Sequence, residues 1–354
     1  MVILAFLALL CLQNAQGSNI VLTNDDGWAV ALVRAQNDAL KAAGHNVVLS
    51  CPAENKSGTG SSSALATVLT SPCEFNTCST GSPAEGFNAS DPHLNYVNAF
   101  PVDSARYGIQ TLAPKFFNGS APDFVVSGPN VGNNLGSTVL ISGTVGAACE
   151  AAHEGIPSIA LSAATGSQVS YTTLESSPNS ADSLAARIYA TLGTRFVQAL
   201  TAAGGTILPT NVSVNVNFPS TNHCPDVSNF SFVLSRINED NSATDVEWCG
   251  TTHLPTESNV VNQGCFASVS VFNASTKGDV DADTQAFVLN RINGSLTCLS
   301  NGGSGNGPVT DDGLTMENNE DGDDDGSGGS DGGNGEMMTE TVLIGRELLV
   351  SQIA

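Results

Sequence analysis

Two adjacent acids, Asp25 and Asp26, follow a short apolar run, Ile20-Val21-Leu22, and stand beside Asn24 and Gly27. A helical spacing comes next, with Ala31, Leu32, Ala35, Ala39 and Leu40 three and four residues apart. The pattern is strand, acidic turn, helix. In an open α/β sheet such a turn lies at the carboxyl end of its strand, where ligands bind. Neighbouring carboxylates repel unless one takes a proton or a cation sits between them. A hard divalent ion, Mg²⁺ or Mn²⁺, suits oxygen donors of this kind. The competing reading is a solvated acidic turn that caps the next helix.

Further polar turns follow later apolar runs. Asn46–Ser50 reads as a second strand and leads into Cys51-Pro52-Ala53-Glu54-Asn55-Lys56-Ser57-Gly58-Thr59-Gly60. Ser57 can bring a hydroxyl to a metal and Lys56 can meet a phosphate, although an ordinary Ser/Gly surface loop has the same composition. Pro122–Asn130 reads as another strand, ending in Gly128-Pro129-Asn130, and Gly132–Gly136 continues it with more Asn and Gly. Ser142-Gly143-Thr144 then opens a helix of small residues running to His153. Free backbone N–H groups and hydroxyls at a helix start suit an anion such as phosphate; a plain N-cap is the alternative. Asp103 either caps a helix starting near Pro101 or orients a loop. His45 is read as a polar residue in a helix-to-strand connection.

These turns need an α/β scaffold to bring them together. Ile156–Ser162 and Val212–Phe218 read as strands, the latter with one polar face. Phe230–Ile237 and Ala267–Phe272 read as further strands, and residues 180–203 and 279–292 as helices. Residues 70–95, rich in Ser, Pro, Asn and Cys, read as an insertion. With 354 residues, 41% hydrophobic and 13% charged, the chain can form one large domain. Its net charge of −23 argues against binding a nucleic-acid duplex.

The ends differ in kind. Residues 1–17 read as a secretory signal peptide, with an apolar run from Val2 to Leu12 and Ala15-Gln16-Gly17 before the cut. That run is too short to span a bilayer, so no membrane span is expected after cleavage. Residues 18–300 form the main domain. Residues 301–336 read as a disordered acidic tail, with a calcium-binding tract as the alternative. Residues 337–354 read as a short amphipathic helix, and the charges of Glu340, Arg346 and Glu347 within it argue against a glycolipid-anchor signal. Asn55, Asn88, Asn118, Asn211, Asn229, Asn273 and Asn293 each begin an Asn-x-Ser sequon. A glycan at Asn55 would crowd Ser57, so Asn55 is expected to stay unmodified. Loss of Cys11 leaves an even number of cysteines. Cys73 and Cys78 are placed for a local bridge, Cys224, Cys249, Cys265 and Cys298 for two more, and Cys149 reads as a buried thiol. A secreted or vacuolar destination follows from these features.

Together Asp25, Asp26, Ser57, Asn130 and Ser142–Thr144 describe a metal with oxygen ligands facing a phosphate-sized pocket. The blocks Ile20–Gly27, Ser57-Gly58, Pro101–Asp103, Pro122–Gly136 and Ser142–Glu150 resemble the SurE family of survival-protein phosphatases. The resemblance covers roughly residues 19–295, densely in the first half and thinly in the second. It implies a Rossmann-like, three-layer αβα sandwich with a mostly parallel sheet and a smaller β-rich C-terminal extension. It also implies a metal-dependent phosphomonoesterase acting on nucleoside 5′- or 3′-monophosphates. The metal ligands would be Asp25, Asp26, Ser57 and Asn130; the phosphate contacts would be Asn134, Ser142, Gly143 and Thr144. Homodimerisation through C-terminal elements is implied as well. The family's Gly-Thr-Pro is replaced here by Ala99-Phe100-Pro101. Two other readings are a nucleoside hydrolase, which would carry a larger Asp cluster around Ca²⁺, and a secreted binding protein with a decayed site.

Overall fold

The computed structural model describes residues 17–299. The expected signal peptide up to Gln16, the expected disordered tail 301–336 and the segment 337–354 lie outside the described residues.

The described chain builds one nine-stranded sheet in the order β3-β4-β2-β1-β5-β6-β7-β9-β8. Its strands are β1 (Asn19–Thr23), β2 (Asn46–Pro52), β3 (Glu85–Asn88), β4 (Asp91–Val97), β5 (Phe124–Val131), β6 (Ser158–Ala163), β7 (Val212–Phe218), β8 (Ser231–Ser235) and β9 (Phe266–Asn273). All pair in parallel except β3 with β4 and β7 with β9. The helices are α1 (Ala31–Ala42), α2 (Pro101–Tyr107), α3 (Ala113–Phe116), α4 (Gly143–His153), α5 (Thr173–Ser176), α6 (Ala181–Thr201), α7 (Glu257–Val261) and α8 (Ala282–Ile292).

The central strands are buried on both faces, which explains their unbroken apolar runs. Successive side chains alternate faces. Ile20 and Leu22 of β1 join Phe124 and Val126 of β5 in a core shared with Leu32, Leu40, Tyr189, Phe196 and Val288 of α1, α6 and α8. Val21, Val48 and Val125 point the other way and pack with Ile109, Leu112 and Ala151. The result is helix, sheet, helix. Fully burying one of these large apolar side chains contributes roughly 1.5–3 kcal/mol.

The chain leaves β1 through α1 to β2 and then β4 on one side, and returns to β5 on the other side of β1. That reversal opens a crevice at the carboxyl ends of β1 and β5, the place where ligands bind in such sheets. Asp25 and Asp26 follow β1, and Asn130 lies near the end of β5.

The supposed insertion at 70–95 contributes β3 and the start of β4, an edge hairpin whose Gly86, Asn88 and Pro92 hide strand character from a propensity reading. The C-terminal strands β8 and β9 extend the same sheet. Disulfides join Cys73 to Cys78, Cys224 to Cys265 and Cys249 to Cys298, while Cys51 and Cys149 are buried free thiols. His45 accepts a hydrogen bond from Ser18 N at 3.1 Å and is a connection residue.

Candidate active site

Asn24 shapes the turn that presents the two acids. Its Nδ2 donates to Gly27 O at 3.0 Å, and its Oδ1 accepts from Gly27 N at 3.2 Å. The carboxylates that follow point into the protein: Asp25 is 2% exposed and Asp26 fully buried.

Donors converge on them from distant parts of the chain. Thr144 Oγ1 donates to Asp25 Oδ1 at 2.5 Å. Gln168 Nε2 donates to Asp26 Oδ1 at 2.5 Å, and Val131 N to Asp26 Oδ2 at 2.8 Å. Among the described residues no Lys, Arg or His forms an ion pair with either acid. Burial raises the Asp25 carboxyl above the usual range, with the Thr144 hydroxyl and nearby backbone N–H groups pulling it back. Burial, and then the charge of Asp25, push the Asp26 carboxyl well above that range. Two buried acids with no cation beside them are costly to ionise. A bound divalent cation removes that cost, so these residues fit one. No group of three or more His, Cys, Asp or Glu side chains suited to a metal occurs among the described residues. Neutral oxygens would therefore complete the shell, which suits a hard ion.

Of the expected neutral ligands, Asn130 is 8% exposed and donates through Nδ2 to Gly132 O at 2.6 Å. That bond turns the amide so that its Oδ1 is left for another partner. Ser57 is exposed. Its N–H donates to Asn55 Oδ1 at 2.7 Å, and the neighbouring Lys56 N donates to Asp25 O at 2.7 Å. The second loop is thus tied to the first by its backbone. Lys56 Nζ lies 3.5 Å from Glu54 Oε2.

The start of α4 abuts Asp25. Ser142 is its N-cap, accepting from Val145 N at 3.1 Å. A side-chain carbon at position 143 would fall 2.8 Å from Asp25 Cβ and 2.9 Å from Pro101 Cγ, so only glycine fits there. A carbon at position 146 would fall 2.1 Å from Gly60 O. The small residues of α4 therefore serve close approach. Asp103 does both tasks expected of it: it bonds Phe100 N at the start of α2 and Ala64 N in the loop beyond Gly60.

Asn134 is buried and held by side chains of β6 and β7. Its Nδ2 donates to Ser162 Oγ at 2.8 Å, and its N–H donates to Asn217 Oδ1 at 2.8 Å. Asn215 Nδ2 donates to Asn134 O at 2.9 Å and to Glu257 Oε1 at 2.7 Å. Glu257, fully buried, also accepts from Gly136 N at 2.9 Å through Oε2. Burial pushes its carboxyl up to about 7. The polar face of β7 is thus inside the protein, where it anchors the Gly132–Gly136 loop.

Sequence reasoning missed Gln168, Glu257, Asn215 and Asn217. The alternation of Val212–Phe218 carried a trace of the last two. Gln168 lies in an irregular segment whose Val169 O accepts from Ala31 N at 2.9 Å, and no local pattern marks it.

The family profile "Survival protein SurE" matches residues 20–240. An acid phosphatase of Yarrowia lipolytica is 34% identical over 306 residues, which cover 77% of this chain and 84% of that protein. A 5′-nucleotidase SurE of Gloeobacter violaceus is 38% identical over 146 residues, 41% of this chain and 50% of its own length. The chain thus aligns with most of the yeast protein and about half of the bacterial one. Among solved structures, the SurE protein from Aquifex aeolicus is similar with a TM-score of 0.49 and 23% identity, over 72% of this chain and 93% of that one. The profile match begins inside β1, runs past β8 and contains every residue placed around the two acids, and on that match the chain belongs to the survival protein SurE family.

Proposed function

We propose that this protein is a divalent-metal-dependent phosphomonoesterase acting on nucleoside monophosphates or related phosphate monoesters. The observation that carries this is the pair Asp25 and Asp26, buried at a topological switch point against the start of α4, with no cationic side chain paired to either among the described residues. The names of the two relatives, acid phosphatase and 5′-nucleotidase, support it.

Asp25, Asp26, Asn130 and Ser57 would hold Mg²⁺ or Mn²⁺, which supplies charge neutralisation at the phosphoryl group and a more acidic water. Thr144 and Gln168 fix the two carboxylates, each on a single oxygen, and so orient their remaining lone pairs. Ser142 accepts from Val145 N and keeps its own proton to donate to a phosphate oxygen. Gly143 adds a helix-start N–H close to the same point. One of the two carboxylates would also orient or deprotonate the attacking water.

Incubation with adenosine 5′-monophosphate distinguishes this reading from a nucleoside hydrolase. Phosphate and adenosine are expected; free adenine would overturn the proposal. We further propose that the chain follows the secretory route, which its three bridges support. A mature N-terminus at Ser18 is the expected result, and an uncleaved Met1 would contradict it.

A further inference from the structure

Arg34, near the start of α1, is 8% exposed. Its guanidinium lies 4.2 Å from the ring centre of Tyr171. Among the described residues its one hydrogen bond is long, from Nη1 to Trp28 O at 3.5 Å. None of the ion pairs among those residues includes it; Asp38, one helical turn on, and Asp91, which Lys41 holds at 3.0 Å, act on its charge without pairing with it. A guanidinium carries five N–H donors and cannot shed its proton to escape burial. Such a group is stable inside a protein when an anion meets it.

Arg34 is shared by the walls of two cavities. The larger, about 640 Å³, also presents Asp38 and Glu175, which repel an anion, and Arg187, whose guanidinium already donates to Pro178 O and Leu174 O. The smaller, about 330 Å³, lies between the β3–β4 hairpin, the Cys73–Cys78 loop and Tyr171. Its wall has Trp28, Phe87, Tyr96 and Tyr171, and neither Asp nor Glu. No carboxylate on this wall repels an anion. Phe87 is 55% exposed, so a ring is open at the mouth.

We propose that this smaller cavity is a second ligand site, distinct from the phosphate site, for a small planar aromatic carboxylate. Arg34 receives the carboxylate through its paired N–H donors, the geometry in which a guanidinium binds that group best. The aromatic wall takes the ring. Trp28 is two residues beyond Asp26, and Tyr171 three beyond Gln168. Binding, rather than turnover, is therefore the proper readout.

The probe is benzoate, followed by calorimetry at pH 7. Because Asn88 on the rim begins a sequon, the full-length protein is made in a host that adds no glycan. Saturable binding of one benzoate per chain is expected for the wild type and for Asp26→Asn. Arg34→Gln should weaken it at least tenfold, and neutral benzyl alcohol should not bind. Phe87→Ala, at an exposed position that leaves folding intact, should also weaken it. No saturable binding to the wild type, or equal binding to Arg34→Gln, would overturn the site. Loss of binding in Asp26→Asn would do so too, by moving the ligand to the phosphate site. None of these results depends on whether the protein hydrolyses phosphate esters.

Discussion

Thr144 Oγ1 donates to Asp25 Oδ1 at 2.5 Å across 119 residues of sequence, joining the start of α4 to the turn after β1. The hydroxyl at a helix start thereby orients the acid of a turn. Hydrogen bonds to charged groups contribute about 1.5–3 kcal/mol. Thr144→Val should lower kcat/KM for phosphate monoesters by roughly 10–100-fold, and Thr144→Ser should restore most of it. The hydroxyl bond favours the ionised form of Asp25. Its loss raises the Asp25 pKa further, so the acid limb of the pH–rate profile should move to higher pH. A limb that stays in place would show that Thr144 acts elsewhere.

The two acids should destabilise the metal-free protein. Burial raises both carboxyls above the ordinary aspartate value of 3.8. Above pH 3.8 the unfolded chain releases these protons while the folded chain retains them. Stability therefore falls as pH rises from there up to the raised folded values. Asp26→Asn should remove part of this dependence and raise the Tm of the metal-free protein at pH 7 by about 2–6 °C, even as it abolishes turnover. It should also shrink the Tm gain on adding Mg²⁺ or Mn²⁺. A lower Tm for metal-free Asp26→Asn, by calorimetry in chelator, would contradict this account of the pair.

Gly143→Ala tests the close approach directly. The added carbon would meet Asp25 and Pro101 below 3.0 Å. The turn must shift, and misplacing a reacting group by about 1 Å costs on the order of 100-fold in rate. The stability loss should be about 1–3 kcal/mol, read from urea unfolding. Activity within about threefold of wild type would mean that Asp25 need not sit where it does.

Much of this was legible in the chain and some was not, for physical reasons. Ile20–Leu22 followed by Asn-Asp-Asp marks a buried strand and its turn within eight residues, so local pattern suffices. Ser142–Thr144 is a local N-cap signal in the same way. Gln168 reaches Asp26 across 142 residues, from a segment without periodicity. Gly136 reaches Glu257 across 121 residues. Such pairings exist only once β1, β5 and the later loops share one end of the sheet. The polar alternation of β7 was visible, but its burial was not, since the partners that satisfy Asn215 and Asn217 come from elsewhere. β3 is an edge strand formed by pairing with β4 rather than by its own composition.

Glu257 should give stability a second pH dependence. Its carboxyl is raised by burial from the ordinary glutamate value of 4.5 to about 7. Between those values the unfolded chain has lost the proton and the folded chain holds it. Stability should therefore fall as pH rises through that window, by at most about 1.4 kcal/mol per unit. Glu257→Gln should flatten this slope. It should also weaken the Gly132–Gly136 anchor, because one of its positions becomes a donor facing Asn215 or Gly136 N–H. Urea unfolding at pH 5, 6 and 7 checks both points; an unchanged slope in Glu257→Gln would place the titration elsewhere.

The central claim is that Asp25 and Asp26 hold a divalent cation that drives hydrolysis of a phosphate monoester. Its most direct test is phosphate release from nucleoside monophosphates and an aryl phosphate, with Mg²⁺, Mn²⁺ or chelator, for the wild type and Asp26→Asn. The account predicts release that needs the metal and falls by at least about 1000-fold in the variant. Release that is unaffected by chelator, or that survives in Asp26→Asn, would contradict it.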